Sequence, residues 1–465
     1  MSERFDLVVI GAGPAGEKGG AQAAYFGKKV AIVDLREDPG GSTATKAGIP
    51  TKTLREAALY LTGFRRRELY GLGMELTHET ALDRMRARAD DVVRLSVETV
   101  RRNIERHGIE LYRGEARLGP GRTVVAHGPD GERILEAEVI LIATGSRPYH
   151  PPGVPFDDPD VHESESILDL ARIPKRLAVI GGGAVGCEYA SIFLALGSSV
   201  MLVDTRDRLL PFLDDEISRE LAAVFGGLGM RLALETEVSS VERAEGALVL
   251  TLSSGELVPA DAVLFAAGRA GNTEGLGLAE AGVEVDGRGR IVVDETFRTT
   301  AEGIYAAGDV IGPPGLASVA MEQGRVAACH AFKIPFKETV DPLAPFGVYT
   351  IPDVAMVGMT EEAAREAGID FEVGRAWFSG NARARISGAM EGLVKLVFRR
   401  EDRLLLGVHI LGDEASELIH LGQAVLQQGG TIDYFIHTTF NVPTLSEAYK
   451  YAAYDGLQRL SAGVD

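Results

Sequence analysis

FDLVVIGAGPAG, residues Phe5 to Gly16, reads as a buried strand that ends in a glycine turn and opens a helix. Leu7, Val8, Val9 and Ile10 form a short apolar run rich in β-branched side chains, the composition of a parallel strand covered on both faces. Gly11, Gly13 and Gly16 follow at G-x-G-x-x-G spacing. In such a turn the first glycine allows the bend, the second lets the backbone approach a pyrophosphate, and the third lets helix and strand pack closely. The unpaired N–H groups at the helix start then face the phosphates. The glycine spacing alone is a weak signal. Here a second strand, Val30 to Val33, ends in Asp34, 23 residues after Gly11, the distance at which an acid meets a ribose hydroxyl.

The same pattern returns further along. Leu177 to Ile180 is a strand, Gly181, Gly183 and Gly186 make the turn, and Cys187 to Leu196 reads as the helix. Val200 to Val203 is the next strand, and Asp204 closes it, again 23 residues after the first glycine. This is an internal duplication. Two dinucleotide sites in one chain imply that one dinucleotide reacts with another, the first tightly held and the second exchangeable; the alternative is a vestigial second copy. Asp204 suits the free 2′-hydroxyl of NAD. Arg206 and Arg208 lie just beyond and suit the 2′-phosphate of NADP. If both arginines are merely solvated, the site is NAD-selective.

At 465 residues the chain is long enough for about three domains. The net charge of −19, from 67 acidic and 48 basic side chains, argues against general nucleic-acid binding, which needs a basic surface. Two cysteines, Cys187 and Cys329, imply no disulfide framework and read as packed side chains. The N-terminus runs straight into the first strand, with no signal peptide and no apolar run long enough for a bilayer, so the expected compartment is the cytoplasm. Thr77 to His107 reads as one or two amphipathic helices. Strand-like runs follow at Thr123 to Ala126, Val139 to Ile142, Asp261 to Arg269 and Gly303 to Val310. A proline-rich segment, Pro148 to Pro155, marks a boundary. From about Asp341 strands at Leu393 to Phe398 and Leu404 to Ile410 mix with a helix at Glu414 to Gln427, and no third glycine turn appears. Arg383 and Arg385 alternate as along a strand. His409, His420 and His437 lack metal-ligand spacing, so no metal site is expected.

Taken together, Gly11 to Gly16, Gly40 to Lys52, Ala143 to Gly145, Gly181 to Glu188 and Gly308-Asp309 fall in an order that resembles the flavoprotein disulfide reductases over essentially the whole chain. The resemblance implies an α/β architecture: two Rossmann-like dinucleotide-binding domains plus a C-terminal α+β dimerisation domain. It implies FAD bound by residues 1–150 and a return segment 271–340, NAD or NADP bound by 151–270, and a homodimer, with higher assembly open, formed through 341–465. The FAD contacts it implies are Gly11, Gly13, Gly16, Asp34, Gly41, Ser42, Thr43, Lys52, Ala116, Thr144, Gly145, Asp309 and Ala317. Those for the pyridine nucleotide are Gly181, Gly183, Gly186, Asp204, Arg206, Val238 and Gly268. Lys52 and Glu188 match the lysine–glutamate pair that the resemblance sets beside the flavin as catalytic residues.

Two departures from that family decide the expected function. Its loop resembles GGTCLNVGCIPSK, with two redox cysteines; here the loop is GGSTATKAGIPTK, residues 40–52, and Thr43 and Gly48 stand in the cysteine positions. The family's histidine before Pro-Thr is Val442 here, while Glu447 remains. The dithiol and its acid/base are therefore lost together. One branch, the soluble pyridine nucleotide transhydrogenases, is similar at residues 146–151, 186–193, 205–210, 431–435 and 438–444. The resemblance implies hydride transfer from NADPH to NAD⁺ through FAD with no disulfide relay. The rivals are an NAD(P)H:quinone oxidoreductase or diaphorase of the same fold, with a quinone as acceptor, and a non-catalytic redox sensor.

Overall fold

The opening apolar run forms the strand Glu3–Ile10, between Val30–Asp34 and Gly131–Ile142 in a seven-stranded sheet. Leu7, Val8, Val9 and Ile10 are all buried, as a strand covered on both faces requires. A computed structural model describes residues 3–63, 78–129, 131–244 and 246–462. The chain divides into two compact units.

The first unit comprises Met1–Leu54, Met85–Tyr149 and Gly268–Asp341. Its sheet is parallel through Glu110–Arg113, Val30–Asp34, Glu3–Ile10, Gly131–Ile142 and Ile304–Ala306. An antiparallel ribbon, Glu115–Gly119 and Thr123–Gly128, extends it along the first half of Gly131–Ile142. Helices Pro14–Tyr25 and Ala317–Ala331 pack so closely that a β-carbon on Gly324 would overlap the Ala15 carbonyl. The return segment thus delivers a strand and a helix to the opening fold. The amphipathic stretch is one helix, His78–Arg106, with Val97 and Ile104 buried; Thr77 lies outside the described residues.

The second unit comprises Arg55–Arg84, His150–Ala267 and Pro342–Asp465. The repeated motif builds a five-stranded parallel sheet in the order Arg231–Ala233, Ser199–Val203, Arg176–Ile180, Ala262–Phe265, Val161–Glu163. Its helix is Ala184–Ala195 and begins three residues before Cys187, directly at the turn. The C-terminal part is a five-stranded antiparallel sheet in the order Phe346–Val348, Val354–Gly358, Leu405–Leu411, Leu393–Arg399, Phe371–Trp377. Helices Ala415–Gln427 and Glu447–Ala462 cover it.

One reading is overturned here. Arg383 and Arg385 lie on a helix, Ala382–Ser387, not a strand. Asn381 caps it by accepting the N–H groups of Arg383 and Ala384, and Gly388 ends it in the left-handed conformation. Three alternating residues are too few to fix a period of two, whereas Asn and Gly at the two ends are direct stop signals. His409 is buried in its strand, with Nε2 on the Met359 carbonyl at 2.9 Å, and both cysteines are free and buried.

Candidate functional site

The two glycine turns are built alike, and the space around each glycine separates structural from ligand-facing positions. Gly11 and Gly181 have φ of +105° and +113°, backbone that favours glycine. A β-carbon on Gly181 would lie 2.5 Å from the Ala266 carbonyl oxygen, and one on Gly11 would overlap that of Ala143. One on Gly16 or Gly186 would overlap the carbonyl of Gly11 or Gly181. The middle glycines differ. A β-carbon on Gly13 would meet only Gly41 Cα, at 3.8 Å, and one on Gly183 would meet nothing within 4 Å. Helices Pro14–Tyr25 and Ala184–Ala195 both start without a side-chain cap. Each turn therefore offers uncapped N–H groups beside open space, which fits a bound pyrophosphate.

Around the first turn the unit gathers most of the residues expected to contact FAD. Gly40 N–H donates to the Ala12 carbonyl at 2.9 Å, which sets Gly41, Ser42 and Thr43, in the short helix Gly41–Thr45, against the turn. Ala143 abuts Gly11, so Thr144 and Gly145 leave the sheet beside it; Thr144 Oγ1 donates to the Asn272 carbonyl at 2.7 Å. Asp309 follows Gly308, whose added β-carbon would come within 3.1 Å of Ala15 Cβ. Asp309 Oδ2 accepts from Ser146 Oγ at 2.8 Å. Ala317 is the first residue of its helix. Ala116 lies two residues beyond Gly114, whose N–H donates to the Asp34 carbonyl at 2.8 Å.

The acids at the two strand ends have different surroundings. Asp34 Oδ2 accepts from Ala12 N–H at 2.6 Å and Oδ1 from Arg36 N–H at 2.8 Å. Burial still holds its carboxyl above the ordinary value. Asp204 accepts from Gly182 N–H and is gripped by Arg206, with Nε on Oδ1 at 2.8 Å and Nη2 on Oδ2 at 2.5 Å. Burial pushes the Asp204 carboxyl up, but the Arg206 side chain and the backbone donors outweigh it and hold it below the usual range. Arg206 thus stands at the acid of the strand end, whereas Arg208 turns to Asp215 Oδ1 at 3.2 Å and the Pro211 carbonyl. Thr236 N–H donates to the Asp204 carbonyl at 3.0 Å, which brings the half-buried Val238 close in sequence to the same strand end. Gly268, at φ +102°, falls in the first unit, two residues beyond the Ala266 that abuts Gly181.

Of the two catalytic candidates, Lys52 lies half-buried in helix Ile49–Thr62 of the first unit's chain segment, and Glu188 is buried in the second unit. Glu188 Oε1 accepts the Tyr349 N–H at 2.9 Å. Sequence reading missed this support, because a backbone donor 161 residues away has no side-chain signature. Thr43 and Gly48 are neighbours: a β-carbon on Gly48 would lie 3.0 Å from Thr43 Cγ2. Val442 is exposed. Among the described residues, the one group of carboxylates close enough to share a metal is Asp214, Glu216 and Glu361, and a lysine ammonium sits among them. Among these residues no helix is long and apolar enough to cross a membrane.

Comparison with known proteins agrees with this geometry. Residues 5–324 match the pyridine nucleotide-disulphide oxidoreductase family model, and residues 344–453 match the family's dimerisation domain. The chain is 43% identical to a soluble pyridine nucleotide transhydrogenase of Mycobacterium bovis BCG over 98% of both chains. It is 42% identical to that of Pseudomonas aeruginosa over 98% of this chain and 99% of the other. Among solved structures, LpdA of Mycobacterium tuberculosis is similar with a TM-score of 0.88 at 28% identity, over 97% of this chain and 99% of that one. RclA of Escherichia coli, an HOCl-induced flavoprotein disulfide reductase, is similar with a TM-score of 0.86 at 26% identity, over the same shares. The chain belongs to the pyridine nucleotide-disulphide oxidoreductase family and is an FAD-dependent oxidoreductase that acts on pyridine nucleotides.

Proposed function

We propose that the protein is a pyridine nucleotide transhydrogenase that moves hydride from NADPH to NAD⁺ with no disulfide relay. The observation that carries this reading is the pair Thr43 and Gly48, side by side in the loop where the disulfide reductases keep their cysteines. Neither side chain carries electrons. Full-length similarity to soluble transhydrogenases supports the same conclusion. Bound FAD would supply the hydride acceptor and donor. The first glycine turn and Asp34 would hold it, with Gly41, Ser42, Thr43, Ala116, Thr144, Gly145, Asp309 and Ala317. The second turn, with Val238 and Gly268, would take the pyridine nucleotides in alternation. Lys52 would set a cation near the ring, and Glu188 would be the second catalytic residue. The dimerisation domain supports a homodimer.

Asp204 and Arg206 together suit a site that accepts both nucleotides. The carboxylate would receive a ribose hydroxyl, and the guanidinium on it would turn to a 2′-phosphate. Arg206→Ala should raise the KM for NADPH about tenfold, the worth of one charge-assisted bond, and move that for NADH little. Equal changes for the two would refute the division of labour.

Two measurements on the FAD-loaded protein test the main reading. Dithionite should deliver a single electron pair per flavin, since a working disulfide would take up a second. After anaerobic reduction by NADPH, NAD⁺ should restore the flavin absorbance. Restoration by a quinone and not by NAD⁺ would overturn the proposal in favour of a quinone oxidoreductase.

A further inference from the structure

Lys395 sits in the middle of the strand Leu393–Arg399 and is 1% exposed. A lysine is almost never so deep without partners. Its Nζ lies 2.6 Å from Asp214 Oδ1, 2.8 Å from Glu216 Oε2 and 2.5 Å from Glu361 Oε1. Arg375 Nε closes the group on Glu216 Oε1 at 2.6 Å. Burial pulls the ammonium down, but the carboxylates outweigh it and keep the group charged. The cluster lies within the second unit and joins two stretches of chain. Lys395, Glu361 and Arg375 belong to the C-terminal part, while Asp214 and Glu216 open the helix Asp215–Gly227.

Asp214 is also the far end of the segment that begins at Asp204. It is fully buried, caps the helix by accepting Glu216 N–H at 3.1 Å, and accepts Glu361 N–H at 3.2 Å. Between the two aspartates the segment folds back onto the second glycine turn. Leu210 N–H donates to the Gly182 carbonyl at 2.9 Å, and Leu209, Leu210 and Leu213 are buried. A β-carbon on Gly182 would meet Leu209 Cδ2 at 2.9 Å. Leu210 holds φ +46°, a conformation a leucine keeps only when its surroundings impose it. Arg208 is tied to Asp215, next to the clamp.

We propose that Lys395 is a positioning residue for the pyridine-nucleotide site: by gripping Asp214 it fixes the far end of the segment 205–213, and so the place of Arg206 and of the glycine turn. The proposal rests on the assignment of that turn to the pyridine nucleotide. The ammonium touches no substrate. It acts through Asp214 and the backbone that Asp214 anchors.

The test is Lys395→Met in the full-length, FAD-loaded protein. The KM for both NADPH and NADH should rise about tenfold or more, as on loss of one or two ligand bonds, with kcat at saturation within about twofold. Trypsin should cut faster after Arg206 and Arg208 than at other sites. An unchanged KM in a variant that retains FAD overturns the proposal, even if its Tm falls, because a purely structural role lowers stability without moving KM. Since the change takes the ammonium from the fully buried Asp214 and leaves Arg375 as the one cation on Glu216 and Glu361, Asp214→Asn serves if the first variant does not fold. Asparagine remains a good cap but loses the charge, and the KM should rise about threefold; again an unchanged KM overturns the proposal. These readouts need only that NADPH reduces the flavin. If NAD⁺ fails to reoxidise the wild type, the transhydrogenase reading falls while the role of Lys395 is still decided.

Discussion

Gly183→Ala is expected to leave the fold and the bound FAD intact while weakening pyridine nucleotide binding about tenfold to a hundredfold, the worth of one or two charge-assisted bonds to a phosphate. The reason is the empty space in front of this residue. The methyl would meet no protein atom within 4 Å, and φ at Gly183 is −80°, which alanine adopts freely. The cost then falls on the ligand that needs that space. Gly186→Ala should behave in the opposite way. Its methyl would overlap the Gly181 carbonyl, so the turn must open and stability should fall by about 2 kcal/mol or more. Thermal denaturation and the nucleotide-concentration dependence of flavin reduction read the two effects separately. A Gly183→Ala protein with wild-type nucleotide affinity would remove the second turn from the binding site. The parallel change at Gly13, where the nearest atom to the methyl would be Gly41 Cα at 3.8 Å, should act on FAD retention instead.

Both turns were legible in the sequence because their determinants are local. A strand, three glycines and an acid lie within 24 consecutive residues each time, and each plays its part through backbone geometry and short-range packing. What sequence reading missed is long-range. Nothing near Lys395 announces Asp214, 181 residues away, although a lysine inside LVKLVF was itself a sign that a charge had to be met in the core. The support of Glu188 by Tyr349 N–H was invisible for the same reason. Arg208 shows the limit of reading charge from proximity. It lies two residues from Arg206, yet one turns to Asp204 and the other to Asp215. Arg383 and Arg385 differ from these: their alternation suggests a strand, but the local signals that decide are Asn381 and Gly388, which cap a short helix at its two ends.

Lys52→Met should slow the reduction of the flavin by NADPH about a hundredfold to a thousandfold while FAD stays bound. That is the usual cost of removing one preorganised charge or donor from a site where negative charge develops, equivalent to about 3–4 kcal/mol of barrier. Lys52 is half-buried on a helix and is no part of a buried apolar cluster, and methionine keeps much of its stem and its helix propensity, so Tm should change little. Glu188→Gln should be milder, about tenfold, because the amide oxygen can still accept the Tyr349 N–H and only the carboxylate charge is lost. The order of the two effects matters more than their size. If the carboxylate acts through the ammonium, Glu188→Gln should cost little in a Lys52→Met background, since groups that work as a unit are not additive. Stopped-flow reduction under anaerobic conditions, at saturating NADPH, measures all four proteins. Full additivity of the two changes would mean that the residues act on the reaction separately, and a wild-type rate in Lys52→Met would mean that the charge favouring hydride arrival comes from elsewhere in the protein.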